Sequence, residues 1–357
     1  MICCEECFKD IEIKDIIINA KIKGECGICY NENVYIYDTE KQNELKESFN
    51  ILLDIYTPIN SLPDDFPHQF LTTLEYELFS NWMIFNINND QGLSLVKEIF
   101  KDKYKKVPEL FEGYIGIFNL NDPTYLKKNS LLNIYNWDDF VEEIKTENRF
   151  HTKIMNVNLL DNFCKHTSRI LDKDSIYYRT RFSDEEGIDK SDMYAPPVHK
   201  VKNGRANPIG IPCLYLSNNI HTTLFELRAG THDYLTVGTF QAKEKINIVD
   251  FTILDQTSPF MVEDLKIYAT NKNHLKQISV EIARPLRSTE SDLDYLPVQY
   301  VVEFVKSRGY QGVQYKSTVN KSGYNLAIFN ENLFNCIEAK VYIIKDINYN
   351  YNNIITN

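Results

Sequence analysis

Residues 204–228 read GRANPIGIPCLYLSNNIHTTLFELR, and three kinds of local structure follow one another within them. Gly204-Arg205-Ala206-Asn207-Pro208 is a turn whose glycine lets backbone approach a ligand and whose arginine offers a planar fork to phosphate. The apolar run over 213–217 is a strand. A helix then begins near Asn219 or His221 and carries Thr222, Thr223 and Glu226, with Thr223 and Glu226 three apart on one face. Glu226 stands between Phe225 and Leu227, and a carboxylate in an apolar stretch needs a partner or a function. The stretch therefore presents an anion grip followed by an acid.

Around it the texture is β-rich, with short runs over 176–182, 234–241, 246–251, 312–315, 326–329 and 341–344. Two helices interrupt them. One covers about 274–283 before Pro285; the other starts near Pro297, repeats Val298, Val301, Val302 and Val305 at helical spacing, and ends before Gly309. Upstream, Leu45, Phe49, Leu52, Leu53 and Tyr56 predict a helix over 44–56, and further helical patterns run over 70–85, 93–104 and 137–144, with 129–136 a connector. Residues 156–171 read as one more helix leading into the carboxyl domain. The fold class expected is α+β, with a mixed or antiparallel carboxyl sheet. The division expected is a cysteine knuckle over 1–35, a mainly helical domain over 36–172, a β-rich carboxyl domain over 173–346 and a frayed tail over 347–357.

With 357 residues, 43% of them hydrophobic and 13% aromatic, the chain has material for more than one packed core. Its net charge of −11, with no continuous basic face, speaks against a nucleic-acid partner. No apolar run approaches the roughly 20 residues that span a bilayer. The opening MICCEECFKD has acids and cysteines where a signal peptide needs a basic start and an apolar run, so a cytoplasmic protein with reduced or metal-bound cysteines is expected.

Five of the eight cysteines fall within the first 29 residues. Cys4-x2-Cys7 and Cys26-x2-Cys29, eighteen residues apart, have the spacing of a tetrahedral zinc site, with Cys3 the alternative to Cys4. Gly24 and Gly27 supply the backbone freedom of a knuckle. A closed four-thiolate site is scaffolding rather than catalysis. The acids Glu5, Glu6, Asp10, Glu12, Asp15 and Glu25 around it disfavour a nucleic-acid-binding ribbon and leave protein docking open.

Two further segments carry polar groups that a plain core does not need. Alternation along Tyr178-Arg179-Thr180-Arg181 puts Arg179 and Arg181 on one face of a strand, where they call for an anion. Tyr315-Lys316-Ser317, followed by Gly323-Tyr324-Asn325-Leu326, is a strand end, a loop and a returning strand with a hydroxyl at its tip.

In this order, YYRTR, GRANPIGIPCLYLS, TTLFELR, LPVQYVVEFVKSRGYQGVQYKS and GYNLAIF resemble the RES domain family over roughly residues 175–329. The paired CxxC and its helical continuation resemble the zinc-containing HEPN/RES N-terminal domain that precedes RES domains in some bacterial proteins. The resemblance implies a fold related to ADP-ribosyltransferases and an activity that destroys NAD+, as the toxin half of a toxin–antitoxin pair or a phage-defence effector. Carried onto this chain, the name-giving arginine, glutamate and serine are Arg179, Glu226 and Ser317, with Arg181 and Ser322 the alternatives to the first and last. Arg181, Arg205, Asn207 and Tyr215 fall at ligand-binding positions. The partners this implies are NAD+ and an antitoxin or trigger protein, with room for a homo-oligomer and no membrane.

A HEPN nuclease needs an Arg-x4-6-His motif. None of the seven histidines has an arginine at that spacing, Arg228 and His232 being one residue too close, so the amino half reads as non-catalytic. Water, phosphate or a macromolecule as acceptor gives a glycohydrolase, a phosphorylase or an ADP-ribosyltransferase. The alternative from another class is a sensor that binds NAD+ or ADP-ribose without turnover.

Overall fold

The computed structural model describes residues 1–284, 291–320 and 322–347. The frayed tail expected over 347–357 therefore falls, from Asn348 on, outside the described residues. Two compact units emerge: Met1–Ile134 with Gln256–Asn273, and Tyr135–Asp255 with His274–Asn357. No described helix is long and apolar enough to cross a membrane.

In the first unit, Val34–Asp38 pairs antiparallel with Ile2–Cys4 on one side and Lys23–Gly24 on the other. Helix Ile11–Asn19 starts where the Asp10 side chain accepts from the Ile13 N–H at 3.2 Å, and it buries Ile13 and Ile17. Helix Glu44–Leu53 buries Leu45, Phe49, Leu52 and Leu53 at the spacing read from sequence. The apolar core centres on Phe85, whose ring lies 5.0–5.9 Å from those of Phe8, Phe49 and Phe79. The helix expected over 70–85 is shorter, Leu74–Tyr76 running into a π-helical turn at Glu77–Asn81. That turn lets the buried Glu77 carboxylate accept from Tyr56 Oη at 2.6 Å and Asn81 Nδ2 at 2.7 Å.

The second unit is built on eight strands: β1 Ser168–Leu171, β2 Ile176–Ser183, β3 Leu214–Ser217, β4 Tyr234–Ala242, β5 Ile246–Asp250, β6 Gly312–Lys316, β7 Tyr324–Ile328 and β8 Phe334–Ile343. Their spatial order is β8-β4-β2-β3-β7-β6-β5-β1. β5 and β6 run parallel, which requires a crossover; the chain between them holds helices Leu265–Ala283 and Leu296–Ser307. The other neighbours are antiparallel, so the sheet is mixed. Leu214, Leu216, Phe240, Ile246, Ile248, Leu326, Ile328 and Phe334 form its buried core, and Leu296–Ser307 buries the predicted valine stripe.

Two further elements differ from the sequence reading at their boundaries with the sheet and the crossover. The helix expected over 156–171 ends at His166, and residues 168–171 are the edge strand β1. Thr167 Oγ1 donates back to the Phe163 carbonyl at 2.9 Å, and the Thr167 carbonyl accepts from the Asp250 N–H at 2.9 Å, so the sheet takes the chain from the helix. The helix expected from 274 begins at Leu265, where the Asp264 side chain accepts from the Ile267 N–H at 2.9 Å.

The sheet is not evenly sewn. β2 pairs with β4 from Ile176 to Ser183, but with β3 it shares one bridge, Tyr178 opposite Ser217. Past that bridge the sheet opens, and this seam holds the site.

Candidate active site

Asn219 starts helix Ile220–Leu227 by accepting from the Thr222 N–H at 2.8 Å, and the helix closes at Arg228 in the left-handed region, φ 53°. Thr223 on this helix and Thr180 on β2 are buried and hydrogen-bonded to each other, which ties the helix to the arginine strand. One turn after Thr222 comes Glu226. Its Oε1 accepts from Ser317 Oγ at 2.9 Å and from Asn325 Nδ2 at 2.8 Å, while Oε2 lies 3.5 Å from Arg205 Nη2. Asn325 is in turn held by the Ser217 hydroxyl. A carboxylate gripped from three sides has one orientation.

The turn that carries Arg205 is a built object. Tyr215 Oη donates to Asn207 Oδ1 at 2.7 Å and accepts from the Ala206 N–H at 3.0 Å. Gln299 Nε2 donates to the carbonyls of Gly204 at 2.8 Å and Asn207 at 3.0 Å. Gly204 is required here, since a Cβ would lie 2.5 Å from Asn207 Oδ1 and 2.6 Å from Tyr215 Oη. Burial holds the Tyr215 phenol well above its usual pKa, so it stays a protonated donor. Tyr215→Phe is expected to cost about 1–2 kcal/mol of stability through the orphaned Asn207 oxygen and Ala206 N–H. It should also raise KM more than it lowers kcat; thermal melts and steady-state kinetics on one preparation check both.

A cavity of about 560 Å³ opens between β2 and β3, and Arg179, Arg181, Arg205, Tyr215 and Glu226 all line it. Arg179 bridges the open seam, its Nη1 donating to the Tyr215 carbonyl at 3.2 Å. Burial, and then the charge of Arg181, push the Arg179 pKa down to about 10, which leaves it cationic at neutral pH. Arg181 bonds the Asp192 carbonyl. The Arg205 guanidinium lies 5.6 Å from the centre of the Tyr315 ring. Two buried donors, Arg179 Nε and Arg205 Nη1, have no hydrogen-bond partner among the described residues. Buried guanidinium donors left open in one cavity are complementary to an anion.

Ser317 does not line this cavity; it lies behind Glu226 and orients it. Asn207 is likewise outside the lining, its side chain closing the Arg205 turn through Tyr215 Oη, Lys202 O at 3.0 Å and Pro208 O at 3.1 Å. Sequence reasoning missed Asn325, Tyr295 and Tyr315 as site residues. For Asn325 a signal existed: an amide in an otherwise apolar returning strand, 4% exposed, needs partners.

At the amino end, Cys4, Cys7, Cys26 and Cys29 converge, their sulfurs all within 4.8 Å of one another. Individual separations are 3.7 Å (Cys4–Cys7), 3.4 Å (Cys4–Cys29) and 3.6 Å (Cys7–Cys26). Sulfurs about 2.3 Å from a tetrahedral zinc lie about 3.8 Å apart, so the donor set fits a metal ion. Cys3 points elsewhere, to the Tyr37 carbonyl at 3.8 Å, which separates it from Cys4. The Cys7 thiol, helped by the N–H groups of Cys29 and Ile28, pulls the Cys26 pKa down to about 4.

Residues 176–352 match the family model described as RES domain. No curated protein sequence matches the chain. Among solved structures, the crystal structure of the M. tuberculosis MbcT-MbcA toxin-antitoxin complex aligns at 12% identity, covering 52% of this chain and 92% of that chain with a TM-score of 0.33. Strands β2 to β8 and the helix that carries Glu226 fall within the matched residues, and this chain therefore carries a RES domain over residues 176–352.

Proposed function

We propose that the chain is an NAD+-degrading enzyme that cleaves the nicotinamide–ribose bond, on an ADP-ribosyltransferase-like domain. The observation that carries this reading is Glu226 held by Ser317, Asn325 and Arg205 in a cavity where two buried arginine donors await an anion.

The chemistry follows from charge. As the bond from C1′ to the pyridinium nitrogen breaks, its electron pair goes to the nitrogen; nicotinamide leaves neutral and positive charge spreads over C1′ and the ring oxygen. Glu226 stabilises that cation, and because its carboxylate is already oriented, little reorganisation is needed as the charge develops. Arg179 and Arg205 hold the pyrophosphate, with Arg205 also pairing Glu226 until substrate enters. Ser317 acts by orienting Glu226, since the carboxylate takes its hydroxyl. An acceptor oxygen then attacks C1′, from water, which gives up a proton to solvent, to yield ADP-ribose, or from inorganic phosphate to yield its 1″-phosphate ester.

The cysteine cluster holds structural zinc in this reading, and the amino half is of the HEPN/RES N-terminal kind, a scaffold or restraint for a cytoplasmic toxin or phage-defence effector with an antitoxin or trigger protein as partner. Purified protein incubated with NAD+, with and without phosphate, and analysed by mass is expected to release nicotinamide together with ADP-ribose or its phosphate ester. Intact NAD+ after bound ligand has been demonstrated means a sensor, and ADP-ribose attached to a macromolecule means a transferase; either result overturns the reading.

A further inference from the structure

A second cavity, of about 270 Å³, adjoins the first and shares Arg179, Gly204 and Tyr215 with it. Glu226 lines only the first cavity; Lys200 and Lys202 line only the second. Arg179 thus lines both cavities, with the carboxylate in the first only and the two lysines in the second only. With Arg179 the second cavity has three cationic residues and no acid in its lining, in a chain whose net charge is −11. Neither lysine ammonium has an ion-pair partner among the described residues. Glu331, an acid whose charge Arg179 senses, is engaged by the Ala195 N–H at 2.7 Å and is not part of the lining.

We propose that this second cavity is a subsite for a phosphate monoester on the adenosine side of the dinucleotide, so that the enzyme's substrates include NADP+. The inference rests on the reading above, in which Glu226 meets the nicotinamide ribose and Arg179 the pyrophosphate; the next group along a dinucleotide is the adenosine ribose. In Rossmann-type dinucleotide sites a carboxylate meets the free 2′-hydroxyl of NAD+, whereas a 2′-phosphate is met by a cation, and the same charge logic holds for any fold. The second cavity has the latter composition. A 2′-phosphate brings a charge of about −2 at neutral pH, and lysines at the cavity rim meet it without a geometric demand.

Wild-type protein is expected to cleave NADP+ with kcat/KM about ten-fold above that for NAD+ at low salt, the gap narrowing as salt screens the lysines. The variant Lys200→Ala/Lys202→Ala should lower kcat/KM for NADP+ about ten-fold more than for NAD+. Cleavage of NAD+ with little or none of NADP+, or a variant that depresses both equally, overturns the subsite and leaves the proposed function standing. Consumption of neither sinks the proposed function, and binding then decides the subsite. By calorimetry, adenosine 2′,5′-bisphosphate is expected to bind about ten-fold more tightly than 5′-AMP, with the advantage lost in the double variant. Equal affinities count against it.

Discussion

Glu226→Gln is expected to keep the fold and to lower NAD+ turnover by about 10²–10³-fold, the cost of removing one preorganised electrostatic group. The substitution is close to isosteric, and an amide oxygen still accepts from Ser317 Oγ and Asn325 Nδ2. What changes is charge. The negative oxygen 3.5 Å from Arg205 Nη2 becomes an NH2 group facing another donor, and nothing anionic remains where the ribose cation forms. Arg205 should then be freer to grip pyrophosphate, so KM is expected to fall or hold while kcat collapses. Nicotinamide release under steady-state conditions, beside a melting curve that matches the parent's, makes the case; parental turnover ends it.

If the four cysteines hold the proposed metal ion, its loss should have the larger effect on stability. Structural four-ligand zinc contributes about 10–16 kcal/mol of apparent binding energy to small domains that fold around it. Here the elements around it are strands of three, two and five residues and a nine-residue helix, too little to bury a core alone. Purified protein is expected to carry one metal ion per chain by elemental analysis. Cys26→Ser should remove it and open residues 1–38 to protease, because Cys26 Sγ sits 3.6 Å from Cys7 Sγ and also accepts from the Ile28 N–H at 3.4 Å. Cys3→Ser is the control, expected to retain metal, since its sulfur faces the Tyr37 carbonyl. Metal-free parent protein, or a Cys26→Ser variant as protease-resistant as the parent, contradicts the assignment.

What could be read from sequence was what local periodicity encodes. β2, β4, β5 and β6 alternate or run apolar between turn residues, and the valine stripe of Leu296–Ser307 repeats at 3.6, so these elements stood out. Residues 168–171 did not, because Ile170 and Leu171 continue the helical spacing and it is the distant strand β5 that diverts them, by pairing with them from Ile246 to Val249. β8 was seen only over 341–344 although it starts at Phe334, because Asn335, Glu338 and Lys340 interrupt the apolar run before Val341. In the site, the sequence placed Arg179, Arg181, Arg205, Tyr215 and Glu226 correctly on their elements, and the structure brings them to one cavity. The family resemblance assigned Ser317, whose place behind Glu226 depends on a partner about ninety residues away in sequence, and Asn207 lies outside this cavity because its side chain closes the Arg205 turn.

The lone bridge between Tyr178 and Ser217 divides the eight strands into a group of three and a group of five. A continuous sheet is stiff because each rung shares load with the next; here one rung and the Arg179 guanidinium carry the join. A ligand seated in the seam becomes part of the framework, adding cross-members where the ladder stops. On the proposed reading, occupancy and rigidity are thereby coupled at the place where the ladder is interrupted.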